Sequence, residues 1–214
     1  MLAELAGLRE SIWRRIAVGV LIFLFTGWAS AQESIRQVDF KNFTYPLSGP
    51  LLGHSNMRWL ENPRAGYSRK KPIHLANGKD LSKGPVAGAE GEQQGFLFRS
   101  VQYAQLAGIE GEAAIVVLRY LTGGTQKTDY IYIYSFEGGK PKLRAYCFTG
   151  DRAYSGLYRV FGQGGELVVD LFDPDKRQGD CCSSGYVRTR YRWSGDRFVP
   201  DGRVKRGEVK QEEH

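Results

Sequence analysis

Two adjacent cysteines, Cys181 and Cys182, are the most unusual chemical feature of this chain, and Cys147 is its only other cysteine. In an oxidising compartment such residues form disulfides, and an odd number leaves one thiol over or pairs it between chains. The adjacent pair can close on itself, or one member can reach Cys147. Either bond fixes the loop that holds Gly179 and Gly185. We favour the adjacent pair, with Cys147 a buried free thiol. A redox or nucleophilic thiol asks instead for Cys-x-x-Cys spacing, or for a base and a positive field beside the sulfur. Arg177 is close in sequence, but no histidine is.

Arg188, Arg190 and Arg192 stand two residues apart, which places them on one face of a strand. Such a ladder suits an anionic polymer, lipid head groups or an acidic protein. The same alternation also describes a solvated sheet face, or charge set against edge-to-edge pairing. Asp170, Asp173, Asp175 and Asp180 are clustered. Calcium wants several oxygen ligands from one short loop, and this spacing matches no such pattern; a solvated loop turning at Pro174 is the better reading. The histidines are His54, His74 and His214, with no metal-ligand spacing. No metal, cofactor or catalytic set is expected. Gly162-Gln163-Gly164-Gly165 reads as a hairpin turn and not a phosphate loop, since no helix follows it. Asn42-Phe43-Thr44 is a sequon that matters only in a eukaryotic secretory path.

The elements that must carry these residues are strands. The runs 113–120 and 130–136 are apolar or aromatic and rich in β-branched residues, and 113–120 is long enough to be buried on both faces. The runs 96–103, 143–148, 156–161 and 167–172 follow the same logic. Gly-rich turns at 122–125, 137–141 and 162–165 separate several of them. Turns this short join antiparallel neighbours, because parallel pairing needs long crossovers. Residues 186–193 alternate strictly: Val187, Thr189, Tyr191 and Trp193 on one face, Tyr186 and the three arginines on the other. The stripe Tyr130, Tyr132, Tyr134 reads as a packed or half-exposed sheet face. The run 38–45 alternates like a strand, 72–78 reads as a short strand ending in an Asn-Gly turn, and 79–95 as a surface loop. The expected fold is all-β: an antiparallel meander, curled on itself or packed as a small sandwich, with a loop-rich part (32–95) covering one side of the meander (96–200). Residues 201–214 read as a charged, disordered tail.

The first 31 residues have the layout of a cleaved signal helix. Arg9, Arg14 and Arg15 precede the apolar run 16–25, and Ala29-Ser30-Ala31 offers small residues for cleavage before Gln32. The run is shorter than the ~20 apolar residues of a spanning helix. The full chain has 30 Lys and Arg against 23 Asp and Glu. Removing three basic and two acidic residues with segment 1–31 leaves 27 against 21, a net charge of +6. That favours anionic neighbours and is too mild and dispersed for nucleic acid. No transmembrane segment is expected after cleavage.

The order of motifs from Val38 to Val199 resembles exported bacterial proteins of the LppP/LprE lipoprotein type. The matching pieces are Asp39-Phe40, Asn42-Phe43-Thr44-Tyr45-Pro46, the apolar strand before Thr122-Gly123-Gly124-Thr125, Gly150-Asp151-Arg152, the loop from Asp180 through Cys181 and Cys182 to Gly185, and Tyr191-Arg192-Trp193. The resemblance implies an envelope location and no assigned chemistry. Those proteins often carry a lipid-attachment cysteine, which this chain lacks. They also tend to have an Asp- and Gly-rich turn before the apolar strand; the corresponding residues 105–112 here hold no aspartate. Together these readings predict a periplasmic or secreted, non-enzymatic module that binds an anionic envelope component or an acidic protein. The alternative is an exported hydrolase or thiol-dependent enzyme without a recognisable motif.

Overall fold

Residues 113–118 and 131–134 contain almost nothing that water would solvate, and both faces of these runs are buried. They form the centre of three layers. The computed structural model describes residues 34–52, 72–83, 93–122, 127–179 and 182–209. The expected signal segment, His54, His214, Asp180 and Cys181 lie outside the described residues.

In chain order, β1 (Thr44–Tyr45) and β2 (Ile73–His74) make a short antiparallel ribbon. The strands β3 (Lys79–Lys83), β4 (Gln93–Gln105), β5 (Glu112–Thr122), β6 (Lys127–Glu137) and β7 (Lys140–Phe148) then form a five-stranded sheet in sequence order, antiparallel throughout. A second sheet holds β8 (Leu157–Gln163) and β9 (Glu166–Phe172). The ribbon of β10 (Arg177–Gln178) and β11 (Cys182–Ser183) follows, and the second sheet is completed by β12 (Gly185–Trp193) and β13 (Phe198–Glu208). Its spatial order is β13-β12-β9-β8. Neither sheet closes into a barrel, and the fold is all-β.

Strand alternation decides the layers. Ala113, Ile115 and Val117 of β5, with Ile131 and Ile133 of β6, face Leu157 and Val160 of β8, Leu167 and Val169 of β9, and Tyr191 of β12. The opposite face of the first sheet carries Ala114, Val116, Leu118, Tyr132 and Tyr134, and is covered by Ile35, Phe40, Tyr45, Ile73 and Leu75. Each large apolar side chain removed from water contributes roughly 1.5–3 kcal/mol. Phenol hydroxyls fasten this cover: Tyr45 donates to the Phe40 carbonyl (2.6 Å) and Tyr132 to that of Pro46 (3.1 Å). The tyrosine stripe is therefore a packed face, with Tyr132 fully buried.

Beyond this shared core, the β8–β9 hairpin meets the first sheet at a seam along β4. Gly164 and Gly165 turn β8 into β9 with φ of 62° and 79°, the left-handed pair that a two-residue hairpin requires. That turn accepts the Ala107 N–H at the Gly165 carbonyl (2.8 Å). Just before it, Gly162 lies against Ala104 of β4 so closely that a Cβ would overlap the alanine methyl. Gly162→Ala is expected to destabilise the protein by about 1–3 kcal/mol, read as a lower urea midpoint. An unchanged midpoint would mean that the sheets slide apart freely at this seam.

Three expectations are corrected. Residues 201–208 are not a tail: they belong to β13, paired with β12 from Trp193↔Phe198 to Gly185↔Glu208. Residues 79–83 are not loop but β3, a short edge strand on β4. The run 38–45 is a strand only at Thr44–Tyr45; before it come a 3-10 turn (Ile35–Gln37) and a tight bend in which Asp39 accepts from the Lys41 N–H (3.0 Å) and the Asn42 side chain (2.7 Å). Its alternating apolar residues, Phe40 and Tyr45, are buried against the sheet as part of a cover and not as one of its strands.

Candidate functional site

The outward face of the second sheet gathers the charged residues that β12 alternation selects. Tyr191 points inward and is 1% exposed, and Trp193 packs on Phe198. Arg188, Arg190 and Arg192 therefore point outward, as their spacing predicts. They are not a free ladder. Arg188 is registered beside Asp170 of β9 and donates to both carboxylate oxygens, from Nε (2.7 Å) and Nη2 (2.9 Å). Arg159 of β8 reaches the same carboxylate from the other side (2.6 Å). Asp170 is fully buried beneath these two guanidiniums. Glu166 repeats the arrangement four residues away on β9: Arg192 Nε donates to it at 2.6 Å and Arg190 Nη1 at 3.2 Å. Arg190 also holds Gln163 (3.0 Å).

These contacts favour the charged forms of Glu166 and Arg188. The hydrogen bond from Arg192 draws the Glu166 carboxyl below its usual range, against the cost of partial burial. The bond to Asp170 raises the Arg188 guanidinium above its ordinary value. Guanidiniums also cover the neighbouring rings. Arg159 lies over Tyr158, Phe161 and Tyr186 at 5.4, 5.3 and 5.5 Å, and Arg188 over Phe161 and Tyr186 at 5.6 and 5.5 Å.

A β-bulge completes the site. Thr189 pairs with Val204 and Tyr191 with Pro200, so residues 201–203 bulge opposite Arg190. The bulge presents Asp201 and Arg203, and the next outward position, facing Arg188, is Lys205. Arg203 reaches Asp201 through its backbone N–H (2.9 Å). Its guanidinium and the Lys205 ammonium are exposed and have no ion-pair partner among the described residues. The result is a groove of about 240 Å³ lined by Arg188, Arg190, Arg192, Arg203, Lys205, Glu166 and Asp201. Five cations, Arg188, Arg190, Arg192, Arg203 and Lys205, therefore line the groove against two carboxylates, Glu166 and Asp201, a formal surplus of three positive charges (5 − 2).

The spacing of β12 pointed to the three arginines but not to Arg159, Glu166, Arg203 or Lys205. The last two carry a period-two signal of their own, in a stretch whose charge hides the strand. The remaining candidates are placed elsewhere. Asp173 is buried and caps a 3-10 turn (Pro174–Lys176), accepting from the Asp175 N–H (3.0 Å). Arg206 pairs with Asp175 (2.8 Å) and lies 3.6 Å from Asp173, so these aspartates serve the loop. His74 Nδ1 is 2.9 Å from Thr44 Oγ1, and the Asp80 carboxylate accepts from the His74 backbone N–H (3.3 Å). A further carboxylate, Asp129, is 5% exposed and holds Arg99 (2.7 Å) and Arg119 (3.0 Å) on the first sheet.

Cys147 is a free thiol buried in the core, and burial pushes it up to about 12. The thiolate is the reactive form, so Cys147 is expected to resist iodoacetamide at neutral pH in the folded protein and to be alkylated once urea unfolds it. Prompt labelling of the native protein would contradict its burial. No family model, curated protein or solved structure matches this chain.

Proposed function

We propose that this chain is an exported, non-enzymatic module that holds an anionic partner, an envelope component or an acidic protein, on the outer face of its second sheet. The observation that carries this reading is the excess of five cations over two carboxylates in the groove, with Arg203 and Lys205 left exposed and unpaired among the described residues. Desolvated ion pairs hold the floor of the groove in place, and the unpaired cations at its rim supply the field that attracts a partner. The layout of residues 1–31 and the resemblance to LppP/LprE-type proteins support export. With Cys147 free, the cysteine available to Cys182 is its neighbour Cys181, and a bond between them would fix the loop beside β10 and β11.

Arg188 is a poor place to test binding, since removing it strips the buried Asp170 carboxylate of a partner. Arg203 and Lys205 lie on the exposed edge strand. Changing both to Ser should leave the urea midpoint within experimental scatter. It should also move elution from a sulfated-dextran column to clearly lower salt, because each lost contact lowers the salt dependence of a polyanion complex. Elution at an unchanged salt concentration would contradict the proposal.

A further inference from the structure

The anionic-partner reading leaves the ligand's chemistry open, and the groove narrows it. The five lining cations stand in two adjacent rows: Arg188, Arg190 and Arg192 along β12 at two-residue steps of roughly 6.7 Å each, with Arg203 and Lys205 beside them on β13. The rows run along the strands and do not converge on a point, which fits a chain of repeated anionic groups better than a single small anion. None of the seven lining residues is aromatic. The nearest rings, Tyr158, Phe161 and Tyr186, lie under the guanidiniums of Arg159 and Arg188. Single-stranded nucleic acid is bound by stacking its bases on open aromatic faces, and this groove offers none. The lining also includes two carboxylates, Glu166 and Asp201, which only accept hydrogen bonds. A polyphosphate chain carries only acceptors along its length and meets those carboxylates with repulsion. A sugar chain brings hydroxyl donors.

We infer that the groove binds a linear acidic polysaccharide, whose carboxylates meet Arg203 and Lys205 and whose hydroxyls donate to Asp201. This rests on the anionic-partner reading and adds the polymer's class. Asp201 is the discriminating residue, because Asp201→Asn keeps a carbonyl oxygen for the Arg203 N–H while it removes the charge and turns the second acceptor into an amide donor.

The experiment is a fluorescence-anisotropy titration of the full folded domain with three labelled probes of matched charge: an oligogalacturonate, a polyphosphate and an oligothymidylate. Wild-type protein should bind the oligogalacturonate several-fold more tightly than either other probe, and free galacturonate should not compete with it. Asp201→Asn should weaken oligogalacturonate binding about threefold, the loss of a modest hydrogen bond, and strengthen polyphosphate binding. Arg203→Ser should weaken both, which keeps the test intact if Asp201→Asn misfolds. If polyphosphate or oligothymidylate binds as tightly as the sugar, or Asp201→Asn strengthens all three, the polysaccharide inference falls and the anionic-partner reading stands. If none of the probes binds at low salt, both fall.

Discussion

Raising the pH above about 10 is expected to unfold this protein cooperatively within one to two pH units. Four phenols, Tyr45, Tyr132, Tyr134 and Tyr191, are at most 2% exposed, and burial raises each above its ordinary value. Tyr45 and Tyr132 donate to carbonyls, which holds them in the neutral form. Tyr134 Oη has no hydrogen-bond partner among the described residues in its buried position. Cys147, pushed up to about 12, behaves the same way. The folded state keeps these five protons, while the unfolded chain releases the thiol proton near 9 and the phenol protons near 10. The unfolded state then binds fewer protons, so stability is fully present below about pH 9 and is lost as pH rises. Each group contributes a slope of about 1.4 kcal/mol per pH unit, so five approach roughly 7. A domain stable by about 5–15 kcal/mol cannot hold its fold against that slope for long. Circular dichroism and phenolate absorbance should change together in one steep transition. Gradual phenolate formation with the strand signal intact would show that these rings are not buried as described.

Arg188→Ala is expected to lower stability by about 3 kcal/mol, far more than a surface arginine normally does. Its guanidinium supplies two of the three side-chain hydrogen bonds that compensate Asp170, and that carboxylate is fully buried. Removal leaves a desolvated charge with Arg159 alone. Adding Asp170→Ala to Arg188→Ala should recover most of the loss, because the uncompensated charge goes with it. Arg192→Ala should leave the urea midpoint nearly unmoved, since that side chain is 72% exposed. Equal effects from Arg188→Ala and Arg192→Ala, or no recovery in the double variant, would contradict the view that Asp170 anchors the floor of the groove.

The centre of the fold was readable from the sequence because β5 and β6 are buried on both faces, so their runs hold few polar residues. The hairpins were readable where glycine pairs mark them, as at Gly164 and Gly165. Ile35, Phe40, Tyr45, Ile73 and Leu75 cover the tyrosine stripe, although the apolar residues of 38–45 alternate without forming the strand that alternation suggested. Strand β13 was missed for a physical reason. It is an edge strand in which Phe198 alone is buried among large apolar residues, and the period-two signal of Arg203 and Lys205 runs through a charged stretch that hides it. The outward arginines of β12 were legible from spacing alone. Their carboxylate partners were not, because Glu166 and Asp170 lie about twenty residues away and become neighbours only through the β9–β12 register.

The central claim is that the β12–β13 face is where a partner binds, and amide chemical-shift mapping tests it most directly. Isotope-labelled protein would be titrated with soluble sulfated dextran at low salt. The account predicts shifts concentrated in Arg188–Arg192 and Asp201–Lys205, and their reversal as salt is added. Shifts centred instead on Arg99, Arg119 and Asp129 of the first sheet, or spread evenly over the molecule, would contradict it.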